Sequence, residues 1–248
     1  MVNTKLLRLS STLLFIGLAL TDVLHFLHPG GGPTYEATFT IYAASENWAA
    51  IHLGQFVGEA VLLAGLLVLF FALNISEGTP RWLGVFGAIS VGVALALAGV
   101  LYAVDGVALK QAVDAWASAP AAEQAARLAS AEAIRWLEWG TNCYWNFMQG
   151  LAMLLYAIVI VWTARVPRPI GYLMGLSGLA FIVLGWMVGT SGFTPTGTVP
   201  SYTGYTSLFV LIVWTLIVAW RRKGSVEPLS HHPSTRVFQE PTRERNSP

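Results

Sequence analysis

Long apolar runs separated by short polar stretches dominate the chain. Six of them approach or exceed the roughly 20 residues that a helix needs to cross a bilayer: about 7–28, 48–74, 82–108, 138–164, 169–190 and 205–220. The breaks carry helix-stopping chemistry, with "HPGGGP" after the first run, "NISEGTPR" after the second, "ARVPRP" after the fourth and "SGFTPTGTVPSYTG" after the fifth. The third break differs. "LKQAVDAWASAPAAEQAARLASAEAIRW" is rich in alanine and charge, and reads as two helical extensions that leave the membrane and meet near Pro120. Within it, Lys110 with Asp114 and Glu132 with Arg135 stand at the spacing of helical ion pairs on solvated faces.

This pattern predicts an all-α fold, a six-transmembrane-helix bundle over residues 1–223 followed by a polar, proline-containing tail at 224–248 that is read as disordered. Basic residues set the expected orientation. Lys5, Arg8, Arg81, Arg165, Arg168, Arg221, Arg222 and Lys223 fall on one side, while the other has only Lys110, Arg127 and Arg135. The excess of Lys and Arg on cytoplasmic loops then puts both N- and C-termini in the cytoplasm. The helical extension between spans three and four lies on the outer side. No small-x-small cleavage signal precedes His25, so the first run is read as a retained helix, not a signal peptide.

Composition narrows the function classes. Hydrophobic residues make up 55% of the 248 and charged residues 11%, against about 25% charged in a soluble domain. A net charge of +1 without a basic stripe argues against nucleic acid as a partner. Cys143 is the single cysteine, which excludes an intrachain disulfide, and it is read as a packing residue. Thr190 and Ser191 lack the surroundings of a nucleophile elbow. Gly171, Gly175 and Gly178 in span five form a small-residue packing face.

Ionisable groups at membrane depth are costly and mark candidate function. Asp22 and His25 share a face near the outer end of span one, and His28 is assigned to the helix boundary before Pro29. In span two His52, Gln55 and Glu59 form one stripe, with Glu59 about 10 Å below His52 at the helical rise. Span three contributes Asp105 near its outer end, and span four Glu138, Asn142, Asn146 and Gln149. All lie in one leaflet, while the opposite halves of these spans are nearly pure Leu, Val, Ile, Ala and Phe. The expectation is an outward-facing polar pocket walled by spans one to four.

Three chemistries fit such a pocket. His25 and His52 with Asp22 or Asp105 would make a two-histidine, carboxylate set suited to zinc, copper or iron. His25 and His52, at similar depth on consecutive antiparallel helices, could instead be the axial ligands of a b-type haem. Without any cofactor, Glu59 and Glu138 could handle protons while Gln55, Asn142, Asn146 and Gln149 bind a polar solute. Proton-coupled transport is disfavoured, because no polar path crosses the other leaflet and no span is broken at mid-membrane.

The stretches "SENWAAIHLGQFVGEA", "AVDGVALKQAVDAW" and "EAIRWLEWGTNCYWNF" resemble small bacterial polytopic membrane proteins that carry only a domain-of-unknown-function label. The resemblance covers roughly residues 10 to 220 and implies a helical inner-membrane protein without assigning an activity. A weaker likeness runs to membrane hydrolases of the ceramidase and progestin-receptor type, which hold zinc through histidines and an acid. His25, His28, His52 and Asp22 supply those residue types, but not that family's spacings or its seven spans.

The sequence thus points to a bacterial inner-membrane protein whose pocket binds a metal and supports redox or hydrolytic chemistry on a small or lipid-soluble molecule. The other candidates are a solute-binding sensor, a small subunit of a larger membrane assembly that could carry b-type haem, or a proton-coupled transporter; a membrane protein partner or a homo-oligomer is the expected association.

Overall fold

Each long apolar run folds as a helix, because in lipid a helix satisfies every backbone polar group within its own segment. The computed structural model describes residues 1–222, so the predicted tail at 224–248, with His231 and His232, lies outside the described residues. The helices are α1 (Thr4–Leu27), α2 (Tyr35–Ala43), α3 (Trp48–Leu73), α4 (Gly78–Ala103), α5 (Lys110–Ala117), α6 (Gln124–Thr163), α7 (Arg168–Ser191) and α8 (Thr198–Arg221). A π-helical turn, Val104–Leu109, joins α4 to α5, so Gly78–Ala117 is one continuous rod of 40 residues. Six helices are long and apolar enough to cross a membrane, which makes the chain a multi-pass membrane protein by length and composition. The described residues contain no strand.

The six long helices form a ring in chain order: α1 packs on α3, α3 on α4, α4 on α6, α6 on α7, α7 on α8, and α8 closes back on α1. Small residues set the closest crossings. A Cβ on Gly58 would stand 3.0 Å from the Thr21 backbone nitrogen, and one on Gly178 would stand 2.7 Å from the Gly150 carbonyl oxygen. The predicted face of α7 therefore packs on α6, with Gly171 and Gly178 against its backbone. At the closure, Arg8 donates to the carbonyls of Ala219 and Arg222 and lies over the Trp220 ring.

Two features depart from the predicted elements. The segment after "HPGGGP" contains a short helix, α2, whose N-cap Thr34 accepts from Ala37 N–H at 3.2 Å. Its Phe39 and Tyr42 join Trp48, Leu109, Val113 and Ala131 in a second apolar core, apart from the main one along the bundle. The sixth span also begins earlier than predicted, at Thr198, while the extensions read for spans three and four are the ends of the long helices Gly78–Ala117 and Gln124–Thr163. The second core thus covers one end of the ring, where α1 ends and α3 begins.

Candidate metal centre

The candidate site lies at the end of the ring covered by α2 and α5. It is built where the end of α1, the start of α3 and the π turn after α4 meet. α1 stops at Leu27, and His28 takes an extended conformation as its C-cap, followed by Pro29, which cannot continue the helix. The His28 side chain thereby leaves the helical face and turns to the first turns of α3. Its ring lies 5.0 Å from the His52 ring and 5.1 Å from the Trp48 ring, centroid to centroid. His52 is 2% exposed and stacks on Trp48 at 4.3 Å. Asp105 comes from the π turn, a device that recurs at functional sites because it changes the direction of a side chain within a helix.

The imidazole of His52 has one chemically defined tautomer. Its Nδ1 stands 2.7 Å from the Trp48 carbonyl oxygen, which can only accept, so Nδ1 carries hydrogen and donates. Its Nε2 stands 3.0 Å from Asp105 Oδ2. In a neutral imidazole with hydrogen on Nδ1, that nitrogen is an acceptor facing another acceptor. A cation between them, either a proton or a metal, resolves the conflict. Asp105 Oδ1 is buried with no partner in the protein. The Trp48 indole N–H donates to the Asp105 backbone carbonyl at 3.0 Å, so the same tryptophan braces both sides. Gly106 allows the approach: a Cβ there would lie 2.7 Å from the His52 Cβ.

His28, His52 and Asp105 form a group that could hold a metal ion, each offering a ligand atom within 4.8 Å of the others. Ligand atoms of a tetrahedral centre stand about 3.3 Å apart when bonds are near 2.05 Å. Atoms that lie within 4.8 Å of one another must draw together to reach that spacing.

A cavity of about 260 Å³ adjoins this group, lined by His28 and Asp105 and, across from them, by Arg135, Glu138 and Asn142. Arg135 and Glu138 are paired at 2.5 Å with little exposure, 12% and 3%. Arg135 also donates to the Tyr42 hydroxyl at 3.2 Å, and its guanidinium lies 5.0 Å from the Phe193 ring centroid. Burial raises the Tyr42 phenol above its usual value, so it stays a neutral acceptor for that bond.

The predicted residues separate in this geometry. His52 and Asp105 come together, as the metal reading required, but His25 and Asp22 are not in their group. His25 is exposed at the cavity wall with its ring 6.4 Å from that of His28, and Asp22 is exposed on α1. His28, assigned by sequence to the helix boundary, is the third member. Nor are His25 and His52 brought face to face as haem axial ligands would be, because His52 is stacked on Trp48 and turned to Asp105. Gln55 lines the cavity alongside Glu138 and Asn142.

Glu59, one turn below Gln55, is 3% exposed with Oε1 unpartnered. Asn146 donates to both oxygens of Asn142, at 2.9 and 2.7 Å, and leaves its own Oδ1 free, as Gln149 leaves Oε1. Lys110 and Asp114 form their predicted pair at 2.6 Å, whereas Arg135 pairs with Glu138 and not with Glu132. A buried carboxylate needs a countercharge more than an exposed one does.

Fold and site together define a six-span helical bundle carrying a two-histidine, one-carboxylate group beside a polar cavity. No protein-family model, curated protein or solved structure matches the chain, so its chemistry is argued from its own residues.

Proposed function

We propose that this protein is a membrane-embedded metalloprotein that holds a divalent transition metal through His28, His52 and Asp105. The metal would act on a small or lipid-soluble molecule bound in the adjoining cavity. The observation that carries the reading is the His52 imidazole itself, whose Nδ1 faces the Trp48 carbonyl and whose Nε2 stands 3.0 Å from Asp105 Oδ2. Metal-ligating histidines characteristically donate their other ring N–H to a backbone carbonyl, and the Trp48 carbonyl takes that part. A shared proton would also fit between His52 and Asp105, but it gives no role to a second imidazole, and His28 supplies one.

Three protein ligands leave positions open for water or substrate, as in catalytic zinc sites and in two-histidine, one-carboxylate iron sites. Zinc would support hydrolysis and iron redox chemistry. Of the other residues that line the cavity, Glu138 paired with Arg135 would take or give a proton, and Asn142 and Gln55 would orient the bound molecule. The basic-residue bias supports a cavity on the outer side of the membrane. Glu59, Asn146 and Gln149 would extend the polar surface toward the bundle interior.

The test is metal analysis of protein purified in detergent, stripped with chelator and titrated with zinc, iron(II) and copper(II). One equivalent should bind in the wild type and in His25→Ala, and none in His52→Ala or Asp105→Ala. A wild type that takes up no metal, with His52→Ala equally stable, would reduce the site to a proton-shared pair. A Soret band in the purified protein would replace the metal reading with haem.

A further inference from the structure

Cations are handled differently at opposite ends of the ring. Under α2 and α5 each basic side chain meets a carboxylate: Lys110 with Asp114, Arg127 with Glu123 and Arg135 with Glu138. At the other end stand Arg8, Arg165, Arg168, Arg221 and Arg222, with Lys5 a turn away from Arg8. Among the described residues none of these six has a carboxylate within ion-pair distance, and Glu77 is the one carboxylate at that end.

What these arginines bond is backbone. Arg8 donates from Nε to the Ala219 carbonyl at 3.2 Å and from Nη2 to the Arg222 carbonyl at 2.8 Å. Arg222 donates in turn to the Arg165 carbonyl at 3.0 Å, and Arg168 to the Val161 carbonyl at 3.2 Å. These bonds gather the start of α1, the end of α8 and the α6–α7 loop into one patch. A carbonyl orients a guanidinium without neutralising it, and each guanidinium has five N–H donors, so the charge and most of the donors remain. Arg8 and Arg222 are only half-exposed, where an uncompensated cation costs more than it does in open water.

Tryptophans set the depth of the patch. Trp82, Trp162 and Trp220 are 62%, 60% and 59% exposed at this same end, and indole rings concentrate where a bilayer meets water. The Arg8 guanidinium lies 5.3 Å from the Trp220 ring centroid. Guanidiniums at that depth face the headgroups of the lipid.

We infer that the patch of Arg8, Arg168 and Arg222 binds the phosphate of an anionic glycerophospholipid, which supplies the missing countercharge where α8 closes on α1. Basic pockets between membrane helices take such headgroups, and a guanidinium offers paired donors to phosphate oxygens. The tail is a poorer occupant. Its glutamates Glu227, Glu240 and Glu244 are outnumbered by Lys223, Arg236, Arg243 and Arg245, so it brings no net negative charge. The inference is independent of the metal reading, which concerns the other end of the bundle.

The experiment places the full chain in nanodiscs of phosphatidylcholine with or without phosphatidylglycerol. Lipid retained through detergent extraction is counted by mass spectrometry, and each protein is melted in both discs. The wild type should retain lipid enriched in phosphatidylglycerol over the disc it came from, and melt higher in the mixed disc. One basic residue near a membrane surface is worth about five-fold in affinity for anionic lipid. Arg168→Gln and Arg222→Gln should each lower the enrichment by about that factor and shrink the difference between the two melts. Each variant is compared with itself in two lipids, so stability lost with a carbonyl bond cancels. Arg168, exposed on its helix start, serves alone if Arg222→Gln does not fold. Arg127→Gln, which removes an exposed arginine at the other end, should leave the enrichment unchanged. A wild type without enrichment, or an Arg127→Gln protein that loses as much as Arg168→Gln, would overturn the inference. So would inorganic phosphate that raises the melt in phosphatidylcholine discs as far as phosphatidylglycerol does, because the ligand would then be a soluble anion.

Discussion

The two ends of this bundle are built from the same helices under opposite rules. At the end where α1 begins and α3 finishes, the interior is Leu7, Leu14, Leu66, Leu69 and Leu73 with Val159 and Ile160, all 1% exposed or less. At the end under α2 and α5, the interior holds His52, Asp105, Arg135, Glu138, Asn142 and Asn146. Among the described residues, every buried side-chain polar atom without a protein partner except Tyr156 Oη belongs to this second region or to the tier just below it: Thr21, Glu59, Asp105, Trp139, Trp145, Asn146 and Gln149. Unpaired buried polar groups each cost on the order of 1–3 kcal/mol. A bundle that concentrates them at one end, and packs the other with leucine, has its stability in one place and its chemistry in another. Functional sites are where such local costs gather.

The sharpest way to break this comparison is Arg135→Gln. It strands the Glu138 carboxylate, 3% exposed, without its countercharge, and breaking a buried pair in this way costs about 3–5 kcal/mol. A thermal melt in detergent should show the loss, and Arg135→Gln with Glu138→Gln should recover most of it. If the single variant melts like the wild type, water already reaches Glu138 and the site is more open than its burial indicates.

Next in size is a truncation in the packed end. Leu66 is fully buried, and Leu66→Ala should cost about 2–5 kcal/mol through the cavity it leaves, read from the same melts. Metal uptake should be unchanged, since the site is built by other residues at the far end. A Leu66→Ala protein that also loses metal would show that the two ends are coupled.

The sequence exposed this division unevenly. The six spans and the one-sided distribution of polar residues were legible, because each rests on a run or on a depth count that needs no tertiary contact. α2 was missed although Thr34 is an N-cap residue and Phe39 and Tyr42 stand three apart. The glycines before it made the whole stretch read as loop. The exchange of His25 for His28 has a specific cause. Helical periodicity assigns His25 to the face of Asp22, but His28 sits past the last helical residue, where ψ of 130° sends the chain elsewhere and the period no longer applies. The direction of Asp105 is set by the π turn, which shifts every later side chain and carries no composition signal. Arg135 was assigned to a solvated pair with Glu132. Tyr42 of α2 and Phe193 hold the Arg135 guanidinium beside the buried Glu138, and contacts from distant segments are not visible in local spacing.

A smaller effect follows from the one glycine that holds the centre closed. Gly106→Ala would put a Cβ within 2.7 Å of the His52 Cβ, so either the π turn moves away or the imidazole tilts from Asp105. Disturbing the groups that orient a ligand typically costs about 10–100-fold in metal affinity. A competition titration against a chelator should show a loss in that range, with the melt of the metal-free protein shifted little. A Gly106→Ala protein with wild-type affinity would mean that His52 does not need its close approach to α4, and would remove the π turn from the design of the site.

The smallest expected effect runs in the opposite direction. Gln149 is 1% exposed and its Oε1 has no partner in the protein, so the native residue carries a desolvation cost that an apolar side chain of similar size does not. Gln149→Leu should therefore raise stability, by about 1 kcal/mol, the lower end of the cost of an unmade buried hydrogen bond. The same kind of change at the leucine-packed end, polar for apolar or small for large, can only lose. If Gln149→Leu instead destabilises the protein, the amide must be held by an internal water or by a bound molecule reaching down from the cavity. Repeating the melt after exhaustive detergent exchange separates these, because a water-held amide gives the same loss before and after and a ligand-held amide gives it only until the bound molecule is washed out.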